Sequence, residues 1–111
     1  MKLSLIKEKG FEPVLLTSDE TEVVDAYTSD LLSDVLSNAK EDSILITIQA
    51  HKNTVAVCSI VGIKAIIICN NRNIPEDMKE LAQKENISIF KTPENQFKTS
   101  YMIYLLLKET M

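Results

Sequence analysis

The sequence predicts an α/β domain whose mostly parallel sheet is buried under helices on both faces, and three observations carry that prediction. Ile44, Leu45, Ile46 and Ile48 form one apolar run and Ala65 to Cys69 a second, neither broken by a charge, as strands covered on both faces require. The interval from Ile48 to Ala65 fits the crossover of about a dozen residues, usually helical, that joins neighbouring parallel strands. Segments of helical periodicity flank the pair on both sides. Ile44–Ile48 and Ala65–Cys69 are therefore expected to lie side by side and parallel, with the connectors leaving them on one rim.

Taken in order, Lys2 to Lys9 reads as a short amphipathic helix with Leu3 and Ile6 on one face and Gly10 past its end. Pro13 forces extended backbone, Val14 to Leu16 reads as a strand, and Thr17 to Glu20 as a polar turn. Thr21 to Tyr27 is a second extended run. The pattern then switches. Ser29 is the predicted N-cap of a helix, Asp30 complements its dipole, and Leu31, Leu32, Val35 and Leu36 recur at helical spacing.

Lys40-Glu41-Asp42 is a solvated turn into the central strand. In the crossover TVAVCSIV is rich in β-branched residues, so local propensity favours strand. Crossover length selects helix instead, capped by Asn53, starting near Thr54 and closed by Gly62 in a left-handed turn, with Val57, Ile60 and Val61 sharing a face. After the loop NNRNIPED, Pro75 occupies a first-turn position, Glu76 and Asp77 sit at the positive helix end, and Met78, Leu81 and Ala82 form the apolar stripe, with Glu80 and Lys84 as an i,i+4 pair. Ser88 to Lys91 is the last strand. Thr92-Pro93-Glu94, with Thr92 as cap before the proline, restarts a helix that carries Phe97 and the run Tyr101 to Leu107. That run is too apolar to leave a solvated face, so the helix is either sandwiched in the fold or meets a partner. A homodimer sharing this helix or an exposed sheet face is expected, disrupted more by Leu106→Glu than by His51→Ala.

At 111 residues the chain is one domain, 1–111, large enough to bury roughly two thirds of the surface its unfolded form exposes. No linker, internal repeat or low-complexity segment divides it. Cys58 and Cys69 fall inside predicted core elements and suit buried free thiols in a reducing compartment. With His51 the only histidine, no metal site has ligands at usable spacing, and no cofactor is expected. The formal charge of −4 is spread along the chain with Arg72 as the sole arginine, which argues against nucleic acid as a partner. The N-terminal residues mix charges with apolar side chains, unlike a signal peptide or membrane span, so the expected location is the cytoplasm.

The stretch from Glu22 to Cys69 resembles the core of the DRTGG domain family, and PEDMKELAQKENISIFKTP with the closing helix extends the resemblance over nearly the whole chain. Tyr27, Ser29 to Ser33, Ala39 to Glu41, Ile46 to Gln49, Asn53 and Val55 to Val57 keep the family pattern. Asp25-Ala26 stands where the family's glycine pair would fall and Thr21 at its arginine. Without glycine the turn lacks ready access to positive φ, so the fold carries over but any ligand contact of that turn does not. The resemblance implies a three-layer α/β/α sandwich akin to the N-terminal domains of HPr kinase/phosphorylase and Mur ligases. It also implies a regulatory or scaffolding role, since family members occur with nucleotide-sensing CBS pairs in pyrophosphatases, in phosphotransacetylases, and beside iron hydrogenase components, which makes a partner enzyme an expected kind of partner.

Ligands of open α/β sheets bind outside the carboxyl ends of parallel strands. Three polar segments are predicted to gather there: Gln49 to Asn53, Asn70 to Asn73, and Lys91-Thr92. Gln49, His51, Lys52, Asn53, Asn70, Asn71, Arg72 and Thr92 are the candidate ligand-binding residues, with Lys91 adding a cation, and a nucleotide or small anion is the chemistry they suit. Each of these positions is also what an ordinary loop between strand and helix supplies. His51 has no acidic or nucleophilic partner beside it in sequence and reads as an exposed turn residue. Tyr27, Tyr101 and Tyr104 read as packing residues that retain the option of stacking on a base. No nucleophile with a base, metal cluster or glycine-rich phosphate loop occurs. A non-catalytic regulatory module is therefore expected, the alternative being a small enzyme acting on a phosphorylated metabolite at the strand ends.

Overall fold

The computed structural model describes residues 1–110. The two charge-free runs become β3 (Ser43–Thr47) and β4 (Ala65–Ile68), buried at every position and paired in parallel with Ile44 opposite Ala65 and Thr47 opposite Ile68. β2 (Asp25–Thr28) adds in parallel to β3, and β5 (Ser88–Lys91) in parallel to β4. β1 (Glu12–Leu15) closes the far edge antiparallel to β5, for an order β1-β5-β4-β3-β2. The helices are α1 (Leu3–Glu8), α2 (Leu32–Asn38), α3 (Lys52–Val61), α4 (Glu76–Lys84) and α5 (Gln96–Glu109).

Successive parallel strands are added in one direction across the sheet, and right-handed crossovers then place α2, α3 and α4 on a single face. There Val35, Val55, Cys58, Met78 and Ala82 pack with Leu45, Ile66 and Ile68. On the other face Leu3 and Ile6 of α1 and Ile103, Leu106 and Leu107 of α5 pack with Ile44, Ile46, Ile67 and Phe90. Alternate residues of one strand thus serve opposite layers, as the two-residue period of a strand dictates. Each fully buried isoleucine contributes about 1.5–3 kcal/mol, so the central ladder is the main source of cohesion. The result is the expected three-layer sandwich in one domain.

Several local expectations are corrected. The β1 strand takes in Glu12 and Pro13, where an edge position tolerates a missing N–H. The second extended run joins the ladder only from Asp25, and the strand runs on to Thr28, with an isolated bridge joining Glu22 to Lys2. Asp25 and Ala26 therefore lie in a strand rather than a turn, and neither is among the positive-φ residues. Ser29 does not cap α2. Its Oγ accepts from Leu31 N–H at 3.2 Å inside the preceding turn, and the helix begins at Leu32.

In α3 the cap is His51, whose Nδ1 accepts from Asn53 N–H at 3.1 Å, rather than Asn53 itself. Gly62 ends this helix at φ 92°, as expected, and a Cβ there would stand 3.0 Å from Glu41 Cβ. The buried face of α3 is Thr54, Val55 and Cys58, which leaves Ile60 74% exposed. Pro75 precedes the first turn of α4 instead of joining it, and the helix's ion pair runs from Glu76 to Lys79 at 3.3 Å. Asn95, not Thr92, caps α5, accepting from Lys98 N–H at 2.9 Å. Leu106 is buried against the core, so a glutamate there acts on folding and does not report on association.

Candidate functional site

The loops leaving the parallel strands meet at one end of the sheet, and backbone hydrogen bonds knit them together. Thr92 N–H donates to Ile68 O at 3.0 Å, Asn71 N–H to Thr92 O at 2.9 Å and Asn70 N–H to Glu94 O at 3.0 Å. Asn70 and Asn71 adopt left-handed conformations, φ 62° and 52°, which asparagine tolerates better than most residues. The Thr92 side chain is buried and its Oγ1 accepts from Glu94 N–H at 3.2 Å.

At the centre of this rim stands a residue that the sequence reading assigned elsewhere. Asp30 turns away from α2, and its Oδ1 accepts from Thr47 Oγ1 at 2.8 Å, from Ile48 N–H at 2.9 Å and from Gln96 Nε2 at 2.9 Å. One carboxylate oxygen thereby joins the end of β2, the end of β3 and the first turn of α5. A hydroxyl pair, Thr28 Oγ1 and Ser100 Oγ at 2.7 Å, also fastens α5 to the edge strand. Nothing local signals this role for Asp30, because Gln96 lies 66 residues away.

The N–H groups of Asn53, Asn70 and Asn71 are thus already engaged within the protein. What the rim exposes are the side chains of Gln49, His51, Lys52, Asn53, Asn70, Asn71 and Arg72. They do not converge on one cleft. Lys52 and Asn53 line a 480 Å³ groove between α3 and α4, opposite Asp77, Glu80 and Lys84. Lys91 lies in a separate 330 Å³ recess with Glu12, Asn73 and Lys79. The loops after β2, β3 and β4 all leave toward the face of α2, α3 and α4, and only the loop after β5 crosses to the other face, to α5. Where the β4 and β5 loops part, the space is closed by the backbone bonds from Asn70 and Asn71 to Glu94 and Thr92.

The more continuous concavity lies elsewhere. A 380 Å³ groove between β2 and α5 has Ala26 and Ile46 among its lining, with Phe97, Tyr101 and Tyr104. It shares Asp25, Tyr104 and Leu107 with a 560 Å³ groove that continues past Val24, Lys40 and Lys108. Phe97 is 82% exposed and Tyr101 and Tyr104 are each 62% exposed. Tyr27 behaves differently. Its hydroxyl donates to both Asp34 oxygens at 2.9 Å, and that hydrogen bond pushes its pKa above the ordinary phenol value. Hydrogen bonds from Ser29, Asn38 and Tyr27 hold the Asp34 carboxyl below the usual carboxylate range.

Both cysteines are free and buried. Burial pushes the Cys58 thiol up to about 12 and raises that of Cys69, so neither is an activated nucleophile. Among the described residues no three His, Cys, Asp or Glu side chains gather as a metal site. None of their helices is long and apolar enough to cross a membrane.

Among solved structures, the fold is similar to the crystal structure of the CBS and DRTGG domains of the regulatory region of Clostridium perfringens pyrophosphatase, complexed with its activator diadenosine tetraphosphate. The TM-score is 0.71 at 16% identity, covering 90% of this chain and 44% of that one. At this identity the likeness is one of fold, and the chain spans less than half the length of that neighbour. No curated protein matches the sequence. The family model for the DRTGG domain matches residues 27–106, the stretch that holds Asp30, all four parallel-strand exits and most of α5, and the chain belongs to the DRTGG domain family.

Proposed function

We propose that this domain is a non-catalytic regulatory module that takes a small anionic ligand, or a partner enzyme, at the carboxyl rim of its sheet and associates with a second copy. A nucleotide is the ligand class favoured by the neighbour, whose regulatory region carries a nucleotide activator. The observation that carries the reading is the Asp30 junction. Anything that engages the loop after β3 pulls on Thr47, Ile48 and Gln96 together, and through Gln96 on α5. The polar atoms of the rim hold the loops to one another and none is set beside a nucleophile, an arrangement that suits signal transfer better than bond cleavage. Exposed Lys52 and Arg72, with half-buried Lys91, supply the positive charge.

The same domain takes in residues before Tyr27, because Leu3, Ile6 and Phe11 are buried in the core and β1 completes the sheet. Two buried thiols support a cytoplasmic location. Thermal unfolding in the presence of mononucleotides, a dinucleoside polyphosphate and inorganic phosphate tests the ligand. A binder at 100 times its Kd adds about 2.7 kcal/mol of stability, and the shift is expected to vanish when Lys52 and Arg72 are both replaced by alanine. Absence of a shift with all three probes refutes the ligand half of the reading. Turnover of a phosphate ester that is abolished by His51→Ala replaces it with an enzyme.

A further inference from the structure

α5 carries two seams. Thr99, Ile103 and Leu106 are buried against the sheet, at spacings of four and three residues. Phe97, Tyr101, Tyr104 and Lys108 repeat with spacings of four, three and four on the opposite side, offset from the inner set by two residues, or about 200° around the helix. This alternation of three and four is the spacing by which one helix seats its side chains between those of another. The inner seam is filled by the fold. The outer one is exposed from Phe97 to Lys108 and borders the trough along β2.

We infer that the outer seam of α5 packs antiparallel against the same seam of a second copy of this chain, in a register that sets Tyr101 against the partner's Tyr104 and Phe97 against the partner's Lys108. This inference rests on the reading above that the domain self-associates and names the surface and register by which it does so. Three observations select this occupant and arrangement. The seam is self-complementary in reverse: a two-fold axis midway between Tyr101 and Tyr104 pairs tyrosine with tyrosine, and lays each Phe97 ring against the stem and ammonium of a lysine.

Electrostatics agrees with the same direction. Glu94 and Lys98 at one end of the helix are already joined at 3.1 Å, and Lys108 and Glu109 lie at the other. Antiparallel packing opposes the helix dipoles and can set Lys98 near the partner's Glu109, whereas parallel packing aligns the dipoles and sets each charge against its like.

The alternative route, extension of the sheet across β2, is blunted. That edge strand has four residues, and the Ala26 N–H is taken by Asp25 Oδ1 at 2.8 Å. The contact is made by side chains, and a seam of about 16 Å places the interface at the small end of specific association, near 1,200 Å². A dimer that dissociates on dilution is therefore expected.

The test combines sedimentation with cysteine cross-linking of the full chain. The unmodified protein is expected to be a concentration-dependent dimer. Tyr101→Glu is expected to raise its dissociation constant at least tenfold with an unchanged circular dichroism spectrum, and Tyr104→Ser, a milder change, to raise it less. Phe97→Cys and Lys108→Cys are each expected to stay uncross-linked alone, since the like positions of two copies stand about 16 Å apart, and to form a disulfide when mixed. Cross-linking of Phe97→Cys alone means a parallel pair and overturns the register. A dimer that neither substitution weakens, with no disulfide in the mixture, overturns the surface and leaves self-association standing. A monomer at all concentrations overturns both and assigns the seam to a different protein.

Discussion

The carboxyl rim and the α5 trough are opposites in how they satisfy their own chemistry. At the rim the backbone donors of Asn53, Asn70 and Asn71 and the Asp30 carboxylate are matched within the protein. Along the trough, Phe97, Tyr101 and Tyr104 lie largely in water with nothing over them. Polar residues at a strand exit are first of all what holds the exit in place, and an unmatched apolar face is the rarer and more informative feature. Under the proposed function the rim is the part that senses and α5 the part that responds, with Asp30 between them.

That contrast can be broken at both faces of one helix. Leu106→Glu places a charge on the inner seam and is expected to cost about 3–5 kcal/mol, the loss of a packed side chain plus an unpaired buried carboxylate. Chemical denaturation measures it, and a loss below 1 kcal/mol would mean the inner face is not packed as described. Asp30→Ala is expected next, at about 2–3 kcal/mol, because it leaves Thr47 Oγ1, Ile48 N–H and Gln96 Nε2 without their acceptor. Hydrogen exchange should then open the first turn of α5 while the β3–β4 ladder stays protected. If both regions open together, Asp30 is a general stabiliser and not a connection between rim and helix.

His51→Ala removes only the cap of α3 and is expected to cost about 1 kcal/mol, with His51→Asn restoring most of it, as read by thermal unfolding. The smallest effect concerns acid. The Asp34 carboxyl is held below 3.8 in the folded state, so its contribution is complete above that value and fades as pH falls through the lower folded one. Tyr27→Phe deletes one of the donors that hold it there. The acid unfolding midpoint of this variant is expected to move to slightly higher pH, and an unchanged midpoint would show that Ser29 and Asn38 suffice.

The sheet was legible because Ile44–Ile48 and Ala65–Cys69 have no charge and the distance between them admits little but a crossover. That distance outweighed the strand propensity of TVAVCSIV, and α3 duly ends at Gly62. Caps fall two residues from the expected one at His51 and three at Asn95, since composition does not reveal which of several nearby polar residues turns its side chain back. Asp30 was missed for a different reason. Asp30 sits beside a good helix signal, and only the folded chain brings Gln96 to it.

The strand exits gather at one end as expected, but the rim does not enclose a single pocket, because the loops after β4 and β5 bond to each other across it. No local pattern encodes which loops close on one another. The bifacial character of the last helix was visible in its apolar run, whereas the division into an inner and an outer seam required the sheet beneath it.

Both margins of the sheet end in obstructions, Pro13 on β1 and the Asp25–Ala26 hydrogen bond on β2. An open sheet margin invites growth into fibrils, strand upon strand. Here both margins refuse such growth, so copies of the chain brought close together stay discrete instead of fusing into deposits.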